Sequence, residues 1–256
     1  MKLGLVTYMW GAAWDLPMLI KNCEATGFGG VELRSTHKHG VEPSLSKAER
    51  VDVRKRFEDS KVECVGLGSA CEYHSADPAV VKKNIELTKA FVLLSHDIGA
   101  SGVKVRPNAL NKNEDRETTI ARMGMALREC GEFAADHGQE LRVEVHGPGT
   151  QDPAVMKEIL EIADHPRVRA CWNSNPGDVM NGSIGHSFEL LRPYLGYVTH
   201  IHDLRDEKYP YRELFGLLRK ADYQGWCLSE SPAVADPVRV MHDYRALWDE
   251  LTRPGK

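Results

Sequence analysis

The sequence predicts a single (β/α)8 TIM barrel spanning residues 1–256, and three observations carry that expectation. Eight short β-branched runs alternate with eight longer amphipathic ones from end to end. The alternation fills 256 residues, close to the ordinary size of one such barrel. No linker, low-complexity run or charge block divides the chain, and it lacks the G-x-G-x-x-G turn that an open doubly wound sheet usually carries after an early strand.

In chain order, the strands read KLGLV, GGVEL, VECVGLG, SGVKVR, LRVEVH, VRACWN, YVTHIHD and GWCLSE. The helical runs between them are DLPMLIKNCEATG, SKAERVDVRKRFEDS, PAVVKKNIELTKAFVLLSHDIG, residues 114–137, PAVMKEILEIADH, SIGHSFELLRPYL, YRELFGLLRKADYQ and PVRVMHDYRALWDEL. Apolar residues recur at helical spacing, as at Leu87, Ala90, Phe91 and Leu94. Asp15 with Pro17, Asp77 with Pro78, Asp152 with Pro153 and Asp236 with Pro237 are start signals, and Gly27, Gly99 and Gly138 are stop signals.

Composition narrows the function classes. A net charge of -4 without a basic stripe argues against a nucleic-acid binder, which needs clustered Lys and Arg. The six cysteines are scattered, with no C-x-x-C pair, so a disulfide framework or structural zinc is not expected, and a cytoplasmic setting fits. The amino-terminal apolar run soon meets Trp10, Trp14 and Asp15 and reads as a strand rather than a secretory leader. No stretch approaches the roughly 20 apolar residues of a membrane span, so no membrane partner is expected.

Four strand ends carry the chemistry. Glu144, Asn173, His202 and Glu230 follow one another at intervals of 29, 29 and 28 residues, about one β/α unit each. They therefore reach equivalent heights at the carboxyl ends of four successive strands, where barrel active sites are built. Two carboxylates, an amide oxygen and an imidazole make a hard, mostly oxygen shell that suits Mn²⁺, Mg²⁺ or Co²⁺ and also accepts Zn²⁺. An inward carboxylate costs several kcal/mol unless paired or metal-bound, so four such groups at one period are hard to ascribe to chance.

Further polar residues share strand faces: Glu32 with Arg34, Lys104 with Arg106, Glu144 with His146, and His200 with His202. For Lys104 and Arg106 the plainer reading is an ion pair with a neighbouring strand's glutamate. Loop residues His37, His39, Glu72, His74, Asn108, Asn175, Asp203 and Arg205 rank lower, because loop histidines and amides are usually solvated. Trp10 and Trp14 would either wall a sugar site or pack in the core. His96, His137, His165, His186 and His242 fall on helices and read as surface or capping residues.

The motifs VELR, VEVHGPG, CWNSNPGD, VTHIHDLRDE and GWCLSE, in this order, resemble the xylose isomerase-like barrel superfamily of sugar phosphate isomerases and epimerases, over nearly the whole chain. The resemblance implies a divalent metal, often manganese, held by Glu144, Asn173, His202 and Glu230. It implies Glu144 and Glu230 as the base and acid of an isomerase or epimerase that passes a ketose or keto-sugar through an enediolate. Arg106, His146, His200, Arg34 and His74 are the expected substrate-binding residues. Asn173 departs from the aspartate usual in the family, which implies weaker metal affinity or altered chemistry.

The expected partner is a small carbohydrate, neutral or weakly charged, and a homo-oligomer is compatible with exposed helix faces. Three other readings use the same residues. A keto-glycoside lyase would expel a β-substituent, and a catalytically altered barrel would only bind sugar or a partner. An abasic-site endonuclease would draw extra metal ligands from His37, His74 and His146, against the acidic charge.

Overall fold

The computed structural model describes residues 1–253; residues 254–256 of the expected 1–256 domain lie outside the described residues. Eight parallel strands alternate with eight α-helices. The strands are β1 Lys2–Val6, β2 Gly30–Arg34, β3 Glu63–Gly68, β4 Gly102–Val105, β5 Glu140–Glu144, β6 Val168–Cys171, β7 Val198–Ile201 and β8 Trp226–Ser229. The helices are α1 Leu16–Thr26, α2 Lys47–Glu58, α3 Pro78–Asp97, α4 Arg116–Asp136, α5 Pro153–Ala163, α6 Gly185–Leu191, α7 Tyr211–Lys220 and α8 Pro237–Leu251.

Seven ladders join the strands in the order β6-β5-β4-β3-β2-β1-β8-β7. The last seam, β6 to β7, closes through isolated parallel bridges at Ala170–Leu195 and Asn173–His200. There the His200 amide donates to the Trp172 carbonyl at 2.7 Å. The sheet is therefore a closed barrel, as the strand–helix count predicts, and the open-sheet alternative falls. No helix among the described residues is long and apolar enough to cross a membrane.

The start and stop signals act where the sequence puts them. Asp15, Asp77, Asp152 and Asp236 each accept a hydrogen bond from a first-turn amide, relieving donors that a helix start leaves without partners. The sixth helical run differs from expectation. Pro193 removes a donor, so α6 stops at Leu191 and the chain continues as a 3-10 turn over Arg192–Tyr194. Leu87, expected on the apolar face of α3, is exposed, while Val81, Ile85, Phe91, Val92 and Leu94 face the sheet.

The main core lies between the strands and the ring of helices, and a second cluster, Val6, Val65, Cys171, Val198, Trp226 and Leu228, fills part of the barrel. Branched apolar side chains usually fill such an interior in layers. Here the same alternation also carries Glu32, Lys104, Arg142, Glu144 and His200, each 3% exposed or less. The inward parity is thus that of Glu32, Lys104 and Glu144. The β2–β3 register slips by one residue beside Glu32, with Val31 opposite Cys64 but Glu32 opposite Gly66. Gly66 has to lack a side chain, since a Cβ there would lie 2.8 Å from the Gly102 carbonyl oxygen as well as 2.5 Å from the Arg142 guanidinium.

Candidate active site

The strand ends surround a cavity of about 560 Å³, onto which Glu144, Asn173, His202 and Glu230 all open. Glu144 ends β5, while Asn173, His202 and Glu230 lie one or two residues past β6, β7 and β8. Backbone bonds hold these short extensions in place. The Glu230 amide donates to Ile201 O at 2.8 Å, and Asn175 Nδ2 donates to Val145 O at 2.7 Å and to Asn173 O at 2.8 Å. His202 is pinned from both sides: its amide donates to Tyr211 Oη at 3.1 Å, and its carbonyl accepts from Tyr244 Oη at 2.7 Å.

At the floor, His200 is fully buried among three carboxylates. Its Nδ1 lies 3.4 Å from Glu144 Oε1 and 3.3 Å from Glu230 Oε2, and its Nε2 lies 3.4 Å from Glu32 Oε1. Ligand atoms of Glu144, His200 and Glu230 fall within 4.8 Å of one another, a grouping tight enough to hold a metal ion. His202 Nε2 stands above, 4.0 Å from the same Glu230 oxygen, so the two histidines do share a side of β7. Lys104 reaches in from β4, with Nζ 2.8 Å from Glu144 Oε2. The expected ion pair with a neighbouring strand's glutamate is present for Lys104; Arg106 is paired too, with Nη2 3.2 Å from Glu72 Oε1, but its partner comes from the loop after β3 and not from a strand.

The electrostatics follow from burial and these partners. Burial penalises a charge on Glu144, but the Lys104 ammonium and His200 outweigh it and hold the carboxyl well below its ordinary value. Glu230 is pushed up by burial and by Glu144, then drawn below its ordinary value by His200 and Lys104. Burial also opposes a charge on His200, yet Cys171 and the Glu32 and Glu230 carboxylates raise it well above the usual imidazole value. His202 moves the other way: burial lowers it, with Glu230 opposing only in part.

The donor set fits a hard divalent cation. Asn173 Oδ1 is buried without a hydrogen-bond partner, whereas Glu32 and both His200 ring nitrogens, which also make no hydrogen bond, face one another or the glutamates as ion-pair neighbours. A buried polar atom without a partner costs about 1–3 kcal/mol, a cost that a bound ion or ligand removes.

The substrate-side candidates divide. Arg34, Arg106 and His146 line the cavity, with Arg34 lying over the Tyr8 ring at 5.0 Å. Arg106 Nε and His146 Nδ1 are buried and unpartnered. His200 and His74 are set back from the wall: His200 lies beneath the glutamates, and His74 stands behind Glu72 at 3.8 Å. Trp10 packs inward, donating to Pro232 O at 2.8 Å, and leaves the wall after β1 to Tyr8 and Met9. His37 and His39 are tied to Thr7 and to the Arg34 carbonyl, away from the cluster.

The sequence reading missed the support behind Asn173. Trp172 Nε1 donates to Tyr209 Oη, and Tyr209 Oη donates to Asp178 Oδ2 at 3.0 Å. The Asn175 amide donates to that same oxygen at 2.9 Å. Asp178 Oδ1 has no partner, and burial pushes the carboxyl up to about 7 despite those donors. The motif NPGD, with a proline and a turn-closing aspartate, was the available signal.

A closed barrel whose carboxyl-end mouth gathers glutamates, histidines and an amide around one cavity belongs to a class built to bind small polar molecules. Residues 20–250 match the model of the xylose isomerase-like TIM barrel family, and the chain belongs to that family. It is 27% identical over 293 aligned positions to an inosose dehydratase from Histophilus somni strain 129Pt, covering 93% of each chain. Among solved structures it resembles an L-ribulose 3-epimerase, with a TM-score of 0.83, 16% identity and coverage of 98% of this chain and 95% of the other. It also resembles a D-psicose 3-epimerase from Clostridium cellulolyticum H10, with a TM-score of 0.79, 16% identity and 98% of each chain covered. These relatives are enzymes: a dehydratase of inosose and two epimerases of ketose sugars.

Proposed function

We propose that the protein is a divalent-metal-dependent sugar isomerase or epimerase that moves a proton next to the carbonyl of a ketose or keto-sugar. One observation carries this reading: Glu144 and Glu230 converge from β5 and from beyond β8 onto the same imidazole nitrogen at the floor of the cavity. Both are held ionised at neutral pH, the state a general base needs. Whichever takes the substrate proton becomes an acid. Returning that proton to a neighbouring carbon isomerises the sugar, whereas inversion draws a proton from water through the other glutamate onto the opposite face, and the first glutamate then releases its proton to solvent.

Glu144, Asn173, His202 and Glu230 would hold the ion. His202 is assigned over His200 because a ligand must be a neutral imidazole, and burial favours the neutral form at His202. His200, raised by its carboxylate neighbours, instead braces both glutamates from beneath. When bound, a divalent ion supplies Lewis acidity at the carbonyl; manganese is the metal we assign from the mostly oxygen set. Arg106, Arg34 and His146 orient hydroxyls and offset negative charge on the substrate oxygen. We place the protein in the cytoplasm, where its six unpaired, buried cysteines match a reducing compartment.

Elimination is the second reading, favoured by the dehydratase relative, which is nearer in sequence than the epimerases. Both reactions start with the same proton abstraction and differ in whether a β-hydroxyl then leaves. Ketoses and keto-sugars incubated with the manganese-loaded protein in D2O separate them. Epimerisation washes deuterium into the carbon beside the carbonyl and yields an isomer; elimination yields a product lighter by one water. A panel with no exchange and no product would contradict both and leave a binding barrel.

A further inference from the structure

Among the described residues Lys104 is the one ammonium on the floor of the site, and the functional reading above gives it no role toward the ion. It is 1% exposed, and its Nζ holds Glu144 Oε2 at 2.8 Å. That leaves Glu144 a single oxygen, Oε1, directed at the cluster, the one 3.4 Å from His200. The third floor carboxylate, Glu32, does not make up the lost charge, because it faces His200 Nε2 at 3.4 Å and lies outside the cluster of Glu144, His200 and Glu230 ligand atoms. Asn173 brings a neutral amide oxygen, and Arg34 Nη1 lies 4.0 Å from Glu230 Oε1, adding a second positive charge on the other carboxylate. A divalent ion entering here meets two carboxylates that each already face a cation.

We propose that Lys104 is an internal counter-cation that sets the site's metal affinity. It keeps Glu144 fixed and charged when no ion is bound, and it opposes a bound ion, so that the ion is exchangeable rather than permanent. This rests on the metal reading proposed above. Like charges a few ångströms apart in a poorly screened interior interact strongly, so removing the ammonium while keeping its bulk tightens a divalent ion by about tenfold or more. A lysine that served only as a structural staple would have the opposite signature. Its loss would free Glu144 to move and leave metal affinity unchanged or weakened.

The test is calorimetric titration of Mn²⁺ into the metal-stripped full chain, paired with thermal melting with and without Mn²⁺. Lys104→Met is expected to bind Mn²⁺ about tenfold tighter or better, to melt lower than the parent without metal, and to gain more on adding it. Lys104→Arg keeps the charge and is expected to stay within about threefold of the parent. Asn173→Asp adds a negative charge without touching Lys104 and should also tighten binding by about tenfold, so it tests the same charge limit if the methionine variant does not fold. Unchanged or weaker binding in Lys104→Met, with the parent still binding, overturns the role of Lys104 and leaves the metal reading intact. If neither the parent nor any variant binds Mn²⁺ at millimolar concentration, both are overturned.

Discussion

Among the described residues, a buried arginine and a buried lysine each pair with a carboxylate inside the barrel, and the two pairs differ in what they leave unfinished. In the lower half, Arg142 is fully buried, with Nε on Glu140 Oε1 at 2.9 Å, Nη1 on Val65 O at 3.0 Å and Nη2 on Ser101 Oγ at 2.7 Å. Glu140 Oε1 also accepts from the Tyr197 amide. In the upper half, Lys104 and Glu144 form an equally short pair, but around it Glu32, His200 and Asn173 keep polar atoms without hydrogen-bond partners. A buried network that is fully satisfied holds a fold together; one left partly unsatisfied, beside a cavity, is kept for something that arrives. On the proposed function, the same barrel uses charge for structure at one end and for chemistry at the other.

That contrast can be broken from either end. The largest effect is expected at the top, where Glu230→Gln should lower turnover on a responsive keto-sugar by about 10²–10⁴. Its urea midpoint should move far less than that of a variant that strands a buried charge, because glutamine keeps the bulk and the acceptor oxygen of Glu230 beside His200. At the bottom, Arg142→Met should do the reverse, costing about 3–5 kcal/mol of stability by stranding Glu140 and several acceptors. Manganese binding by the folded fraction should be unchanged. Equal stability losses in the two variants would erase the distinction.

A third variant sharpens the comparison through pH. Asp178 has its folded value raised from 3.8 to about 7, so its contribution to stability is full below the unfolded value and is lost as pH rises through about 7. Across roughly pH 4 to 8 the parent should lose up to about 4 kcal/mol relative to Asp178→Asn, which cannot ionise. Chemical denaturation of both proteins at several pH values reads this difference. A constant gap would mean that Asp178 ionises freely in the folded state. The smallest effect is assigned to His200→Asn, which removes the brace under Glu144 and Glu230 and should weaken Mn²⁺ binding by about 10–100-fold in calorimetry.

The strands and helices were legible because each carries its own local signal: alternation in the strands, aspartate with proline at helix starts, and glycine at their ends. The four strand-end groups were legible for a related reason, since one β/α unit sets their spacing. Depth was harder to read. Periodicity put His200 and His202 on one side of β7 but did not show that one would lie under the glutamates and the other at the rim. Partners across strands were hidden too, because they depend on register and closure. The Lys104–Glu144 pair needs β4 beside β5, and the slip beside Glu32 is a tertiary feature. Arg142 shares the parity of Glu144 and could have been marked as inward, but a full charge inside a barrel is not what alternation alone suggests. Trp10 was drawn inward by Pro232 and Tyr244, contacts far away in sequence.

The central claim is that the strand ends hold a metal, and elemental mass spectrometry on the purified protein, alongside Glu144→Gln, His202→Ala and Glu230→Gln, tests it most directly. About one equivalent of a divalent metal in the parent, lost in all three variants, is the predicted result. A parent that carries no metal and takes up no added Mn²⁺ would contradict the account.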